Sequence, residues 1–432
     1  MAHEPHVPSY YAATAAAPPE RPALAGDLRA DVCVVGAGFT GLSAALNLAE
    51  RGYRVAVLEA NRVGWGASGR NGGQIGSGFA ADMAWLEGWA GRAAARGLFT
   101  LAEEAKAIIR ERVERHGISC DLKWGTFHAA SKARHMPGLA AKQAHWSEAY
   151  GYQGLRLAET PDEAHRYVNS PSYIGGIFDP GSGHLHPLKY CQGLARAAEE
   201  AGATIFEGSP VIGLETGTGG AGQVAAKTGG GCVKADFLLL CGNAYLGDLV
   251  PEIRRVIAPL SSYIVATHPL GEDKAADVIP ADCAVFDSNH ILSYYRLSAD
   301  RRMLFGGRVG ISPFGEPDPR RALAARMAKL FPQIADADIE FDWGGYVAMT
   351  WARVPHVGRL GGRVYFAHGY SGDGVAMTGL VGRVLAEAVA GQAERFDLFA
   401  HLPHRGFPGG RLLQRPALVL GLLWYRLCDL MP

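Results

Sequence analysis

The sequence has no surplus of either charge: 42 Lys+Arg stand against 42 Asp+Glu, a formal net charge of +0. A nucleic-acid binder needs a basic excess or patch, so that class of partner is disfavoured. The basic trio Arg110, Arg112 and Arg115 has the spacing of a solvated helix face. Cysteines are few, seven in 432 residues, odd in number and without a CxxC pair. That argues against a disulfide framework or a zinc site, predicts no bound metal, and fits a reducing, cytoplasmic compartment. The stretch Met1 to Pro22 lacks a basic region followed by an apolar one, so it does not read as a secretory signal. The C-terminal apolar run Ala417 to Tyr425 is too short to span a bilayer. No internal repeat or low-complexity block stands out.

What is present is apolar and glycine-rich, with 48% hydrophobic residues and 57 glycines. That composition supports substantial cores over two or three domains. The most informative stretch is Asp31-Val32-Cys33-Val34-Val35-Gly36-Ala37-Gly38-Phe39-Thr40-Gly41. Val32 to Val35 read as a buried parallel strand. Gly36 permits a tight turn, Gly38 admits a pyrophosphate to the backbone, and Gly41 lets the following helix pack close. The helix N-terminus offers free N–H groups and a partial positive charge to phosphates. Leu42, Ala45, Leu46 and Ala49 share its apolar face, and Gly52 ends it. A second strand, Arg54 to Leu58, ends at Glu59, 23 positions past Gly36. That is near the roughly 20 expected of an acid that binds an adenosine ribose, and a carboxylate there disfavours a 2′-phosphate. A dinucleotide other than NADP is therefore expected.

Further segments fit the same domain: a helix Leu188 to Ala201, a strand Ala203 to Phe206, and an apolar strand Asp236 to Cys241 ending at Gly242. Near the C-terminus, a strand Val364 to Ala367 leads into the glycine-rich turn Gly369 to Gly374 and a helix from Val375 to Ala390. Gly374, Gly379 and Gly382 would each weaken an isolated helix by about 1 kcal/mol relative to Ala. That cost predicts close approach to another backbone or to a ligand. Between these pieces lie a helix Leu101 to Arg115 and short strands at Trp124 to His128, Ser262 to Ala266, Ile291 to Arg296 and Arg302 to Gly307. The region from Gly217 to Gly231 reads as a loose hairpin connection. The fold class is α/β (α+β overall): a Rossmann-like domain carrying an inserted, mostly antiparallel β-sheet. The expected division assigns 1–84, 176–248 and 344–432 to the dinucleotide-binding domain, and 85–175 and 249–343 to a substrate domain.

Several motifs are more specific than the fingerprint. They are Ser9-Tyr10-Tyr11-Ala12-Ala13-Thr14, the block Val63 to Gln74 (VGWGASGRNGGQ), Gly183-His184-Leu185-His186-Pro187, Phe305-Gly306-Gly307-Arg308, and Met349 to Arg359 (MTWARVPHVGR). With these and the Gly369 to Gly374 turn, the chain resembles the D-amino-acid-oxidase-like FAD-dependent amine oxidoreductases over nearly its whole length. The resemblance implies FAD rather than NAD. It assigns Ser68, Gly69, Arg70, Asn71, Gly72 and Gly73 to the pyrophosphate and isoalloxazine ring, where glycines admit the backbone and Ser68 and Arg70 can bond phosphate. It places Phe39, Thr40 and Ala60 beside the fingerprint residues. Val211, Gly242, Gly369, Tyr370, Ser371, Gly372, Gly374 and Val375 complete the cofactor site. The helix after the Gly369 to Gly374 turn would stabilise the reduced, anionic ring through its dipole. Some relatives attach FAD through a cysteine in the segment matching Tyr346 to Thr350. None stands there, so non-covalent FAD is expected. Ala376 replaces a carboxylate-binding lysine of relatives that act on N-methyl amino acids, which counts against a sarcosine-type substrate.

The implied reaction oxidises a C–N bond by hydride transfer to flavin N5, gives an imine that hydrolyses to an aldehyde, and returns electrons to oxygen as hydrogen peroxide. The implied substrate is gamma-glutamylputrescine or a related polyamine derivative. Tyr295, Arg296, Trp351 and His356 are the candidate catalytic residues, and Tyr294 and Arg308 the candidate substrate-binding ones. Arg296 or Arg308 would bind a carboxylate bidentately. His356 either accepts a proton or serves as a structural hydrogen-bonding histidine. The tyrosines either line the site or fill the core. Alternatives are a glycine- or sarcosine-type amino-acid oxidase of the same fold and a quinone-linked dehydrogenase. The segment Arg411 to Arg426, an apolar helix with Arg, Trp and Tyr, bears on the last. It either makes weak contact with a membrane surface or docks on the protein's own surface.

Overall fold

A computed structural model describes residues 4–216, 222–307, 318–407, 420–421, 423–425 and 427–429. At its centre the strand Val32–Val35, buried at all four positions, lies parallel between Val55–Leu58 and Phe237–Leu240. Thr204–Phe206 extends this sheet on one side, and Val364–His368 extends it on the other. His356–Leu360 closes that second edge antiparallel to its neighbour. Continuous apolar runs form these strands because both faces are covered. Cys33 and Cys241 sit among them as small buried apolar groups, and burial raises the pKa of both thiols.

The helix Phe39–Ala49 is buried at every position. Its covering partner is Met377–Val389, and glycine sets the distance between the two. A Cβ on Gly382 would fall 2.5 Å from Ser43 Cβ and 2.6 Å from the Thr40 carbonyl oxygen. Ser43 Oγ donates to the Gly379 carbonyl at 2.6 Å. The expected close approach at these glycines is thus to a neighbouring helix. Arg112 Nη2 donates to the same Ser43 Oγ at 2.7 Å, and the residue is only 2% exposed. The trio expected on a solvated face is therefore split. Arg112 is buried at the helix crossing, Arg110 stacks on Trp124, and Arg115 pairs with Glu50.

A second, mostly antiparallel sheet runs in the order Ile339–Met349, Ala258–Thr267, Met303–Gly307, Ser293–Leu297, Ala284–Asp287, Lys123–Ala130, Gly175–His184, Gln74–Ile75. Arg156–Ala158 adds to Gly175–His184. Two of these strands correct the expected boundaries. Gln74–Ile75 and Gly175–His184 fall on segments read as dinucleotide-binding, yet both pair within the second sheet. The long helix Arg92–Arg115 departs the other way, packing on the dinucleotide side through Ile108 and Arg112. Its apolar stripe packs on Met377–Val389, and sequence position does not reveal that pairing. A third sheet of four short strands joins Leu28–Arg29, Cys232–Ala235, Val224–Thr228 and Val211–Thr216. The arms of the expected loose hairpin are two of its strands, registered Val224 to Thr216. Among the described residues no helix is long and apolar enough to cross a membrane.

Gly382→Ala tests the glycine-set crossing. Overpacking of this kind costs about 1–3 kcal/mol, so chemical denaturation should show a loss of that size, while Gly391→Ala at the exposed helix end probes backbone strain alone.

Candidate active site

The fingerprint residues form a tight cradle. Gly36 adopts φ +104° with its missing Cβ 3.0 Å from the Cys241 carbonyl oxygen. A Cβ on Gly41 would lie 1.9 Å from the Gly36 carbonyl oxygen, so only glycine allows this turn. Glu59 accepts from the Ala37 and Asn61 N–H groups at 2.8 and 3.0 Å, which fixes its carboxylate beside the helix N-terminus. Burial raises its pKa, against the pull of those donors. Phe39 N–H donates to Ser68 Oγ at 3.0 Å. The helix start and the Ala67–Gly69 turn thus meet where phosphates are expected to sit.

The loop that follows is held by a buried arginine. Arg296 Nε donates to the Gly72 carbonyl at 2.8 Å, and Nη2 donates to the Leu185 carbonyl at 2.9 Å and to Tyr11 Oη at 3.3 Å. Gly73, at φ +73°, leaves only 2.0 Å between a would-be Cβ and the Leu185 carbonyl oxygen. Asn71 Oδ1 accepts from Gly73 N–H at 2.7 Å. Arg70 lies over Trp65 at 4.2 Å and donates through Nε to the Trp65 carbonyl. Its Nη2 is buried with no hydrogen-bond partner among the described residues.

The C-terminal turn meets this loop from the other side. Thr40 Oγ1 and Tyr370 Oη lie 2.8 Å apart. Ser371 has φ +58°, Asn243 φ +48° and Arg353 φ +55°, rare conformations for residues other than glycine. All three line the same chamber, and such strain concentrates at functional sites. Asn243 is locked by its N–H to His368 Nδ1 at 2.9 Å and by its Oδ1 to Gly369 N–H at 3.0 Å.

The chamber between these elements has a volume of about 500 Å³. Its apolar wall includes Phe39, Ile75, Phe79, Ile177, Ile264 and Val347. Lys142, Asp179 and Asp373 also face it. Asp179 accepts from Ser77, Ser182 and Tyr152 hydroxyls. Burial works against its charge, but Lys106 and those donors hold its pKa down. Burial pushes Asp373 up to about 6, with Lys142 and Lys106 opposing. Burial lowers Lys142, with Asp179, Asp373 and Asp82 opposing. His128 stacks on Phe286 and is driven down to about 3, again by burial first.

The chamber gathers most of the expected cofactor positions and few of the expected catalytic ones. Phe39, Ser68, Arg70, Asn71, Gly72, Tyr370, Ser371, Gly372, Gly374 and Val375 line it. Gly69, Gly73, Gly242 and Gly369 shape the turns behind that lining. Ala60 is exposed and Val211 belongs to the third sheet, so neither faces the chamber. Tyr294 lines it, with Oη 3.1 Å from Ser262 Oγ. Four expected catalytic residues are corrected. Tyr295 is a core residue, stacked on Phe305 and bonded to Tyr173 Oη. Alternation along a strand sends it to the face opposite Tyr294. Arg296 bonds the Gly72, Leu185 and Leu297 carbonyls and Tyr11 Oη, so its guanidinium is engaged within the protein and does not line the chamber. Trp351 is 62% exposed and packs edge-on against Phe407. His356 packs against Phe366 and His404 away from the chamber, and burial holds it down at about 3. Arg308 lies outside the described residues. Lys142, Asp179 and Asp373 went unnoticed in the sequence. The one signal was Asp373, a lone charge inside the glycine-rich turn.

The C-terminal segment reaches this region. Tyr425 Oη accepts from Arg353 Nη2 at 3.1 Å, and Asp429 accepts from the His290 and Ile291 N–H groups. Residues 411–419, 422 and 426 of the expected helix lie outside the described residues. The remainder docks on the protein's own surface while leaving Leu420, Leu423, Trp424 and Leu427 exposed.

A family profile described as FAD dependent oxidoreductase (DAO) matches residues 31–388. The gamma-glutamylputrescine oxidoreductase of Escherichia coli strain K12 is 40% identical over 425 residues, covering 98% of each chain. The "probable oxidoreductase OrdL" of Haemophilus influenzae is 41% identical, covering 99% of each. The crystal structure of glycine oxidase from Geobacillus kaustophilus superposes with a TM-score of 0.71 at 24% identity, over 88% of this chain and 100% of that one. The residues present fit FAD: a glycine cradle with no room for Cβ atoms, and a buried Arg70 Nη2 without a protein partner. No cysteine among the described residues lines the chamber, which leaves no thiol there to tether a flavin.

Arg70→Ala should leave a folded protein that loses FAD on gel filtration, because a charge-assisted bond is worth about 1.5–3 kcal/mol. Retention equal to the parent would remove Arg70 from the cofactor site. Asp373 provides a second check through linkage. Its folded pKa is raised, so its ionisation penalises the folded state above about pH 6 and vanishes below its ordinary value of 3.8. The melting temperature of Asp373→Asn should therefore exceed the parent's increasingly as pH rises through that window.

Proposed function

The chain belongs to the DAO family of FAD-dependent oxidoreductases, and we propose that it oxidises a C–N bond of gamma-glutamylputrescine or a related polyamine derivative. The observation that carries this reading is a largely apolar chamber beside the glycine cradle, joined to a full-length likeness to gamma-glutamylputrescine oxidoreductase. Bound FAD supplies the acceptor for the hydride from the carbon next to nitrogen. Ser68, Arg70, Asn71 and Gly72 would hold it on one side, and Tyr370, Ser371 and Gly374 on the other.

The chain's own residues serve the amine. An alkylammonium with a pKa near that of Lys, about 10.4, loses its proton at a cost of ~4 kcal/mol near pH 7. Only the neutral amine donates a hydride. The apolar wall that depresses Lys142 depresses a bound amine by the same desolvation, which offsets part of that cost. Tyr294, hydrogen-bonded to Ser262, supports the wall beside Gly72. The product imine hydrolyses to an aldehyde, and oxygen, taken up as the second substrate, becomes peroxide. The two-part division of the chain belongs to this reading: parallel sheet for the cofactor, antiparallel sheet for the substrate. So does a cytoplasmic location.

A second reading, a dehydrogenase that passes electrons to a membrane quinone, is favoured by one observation. Leu420, Leu423, Trp424 and Leu427 are exposed beside Arg353 at the chamber wall. The test is anaerobic bleaching of the flavin band by a panel of polyamines, glutamylated polyamines and N-methyl amino acids, followed by peroxide yield in air without detergent. The reading expects bleaching by glutamylated putrescine and one peroxide per turnover. Bleaching only by N-methyl glycine derivatives overturns the substrate, and substoichiometric peroxide favours the quinone-linked form.

A further inference from the structure

We propose that Lys142 is the specificity-determining cation of the chamber, receiving the carboxylate of an amino-acid head group at the end of the substrate remote from the oxidised amine. The inference deepens the functional reading above and rests on it for the identity of the substrate.

Arg70, Lys142 and Arg353 line the chamber among the described residues. Arg70 is stacked on Trp65, donates to the Trp65 carbonyl, and belongs to the glycine-rich loop on the cofactor side. Arg353 is exposed, and its guanidinium donates to Tyr425 at the rim. Lys142 differs from both. It projects from the helix Met136–Tyr150, with its Nζ 4.3 Å from the Trp146 ring centroid. It makes no hydrogen bond or ion pair with any described residue. A partly buried ammonium in that state lacks the ionic partner that would offset its desolvation. The deficit suits a ligand that brings a carboxylate.

The surroundings sharpen the match. Asp373 also faces the chamber, and its carboxylate has no hydrogen-bond partner among the described residues. Asp179, by contrast, is saturated by hydroxyl donors and by Gly181 N–H. One cation and one carboxylate that both face the chamber, neither hydrogen-bonded to a described residue, complement a zwitterion, as in the α-ammonium and α-carboxylate of a γ-glutamyl group. Thr126 Oγ1 and His128 Nδ1, buried and unpartnered on the same wall, add polar capacity. A free diamine carries only positive charge and meets repulsion at Lys142. Specificity then comes as much from rejecting the unmodified diamine as from binding the glutamylated one.

Lys142→Met tests this, with Lys142→Arg as the charge-preserving control and bound-FAD absorbance as the measure of folding. The substrates are gamma-glutamylputrescine and N-acetylputrescine, which keeps the amide but lacks the head group. A lost charge-assisted contact is expected to lower kcat/KM for the glutamylated amine roughly 10- to 100-fold, mostly through KM. N-acetylputrescine should be unaffected, and the arginine variant should recover most of the loss. Equal effects on both substrates, or none on either, overturn the proposal. A binding measurement separates this failure from failure of the substrate reading. L-glutamine carries the same head group without the diamine, and its binding is followed by perturbation of the flavin spectrum. Weaker L-glutamine binding in Lys142→Met, with no bleaching of the parent by gamma-glutamylputrescine, keeps Lys142 and discards the substrate. Bleaching by gamma-glutamylputrescine that is insensitive to Lys142→Met keeps the substrate and discards Lys142. No L-glutamine binding and no bleaching in the parent discards both.

Discussion

The chamber depends on a buried guanidinium that no carboxylate neutralises among the described residues. Arg296 is 3% exposed and bonds to the carbonyls of Gly72, Leu185 and Leu297 and to Tyr11 Oη. Taking that charge out of water is costly, and only near-complete satisfaction of its donors offsets it. The geometry that satisfies them also brings the Gly72–Gly73 loop, the end of the Gly175–His184 strand and the N-terminal Tyr11 to one point. With the loop fixed, Gly72 lies against Tyr294 and Ser68 meets the start of the fingerprint helix. A residue that looked like a ligand for substrate is instead what fastens the Gly72–Gly73 loop to the second sheet.

The chamber that results is largely apolar and unevenly charged. Burial works against both charges, lowering Lys142 and raising Asp373. That environment suits a reaction that needs an uncharged amine. It also makes each charge a selective contact, because an ionic partner restores what desolvation removed. Apolar walls and isolated charges therefore serve different ends of one elongated substrate. The positive-φ residues Asn243, Arg353 and Ser371 around the rim show that the fold accepts backbone strain to hold this shape.

How much of this was legible in the sequence varied with distance along the chain. The cradle was readable because strand, glycine turn, helix and acid act within a few residues of one another. Gly36, Gly41 and Glu59 stand where their spacing predicted. The Tyr294–Tyr295 pair shows the limit. Aromatic neighbours on a strand point to opposite faces, and only pairing fixes which face is the chamber. Arg296 shows the same limit for charge: neighbouring residues reveal a cation, but the Gly72 and Leu185 carbonyls that it bonds are more than a hundred positions away. His356 had the right chemistry in the wrong place, since the edge strand carrying it faces His404.

By itself the sequence determined the cofactor class and the parallel core. Backbone conformation at glycine and the apolar period of a buried strand are local properties that tertiary context seldom overrides. Only the tertiary structure decided which side chains line the chamber. Lys142, Asp179 and Asp373 come from a helix, a strand and a turn with no shared motif, and each became a site residue when packing closed a low-dielectric space around it.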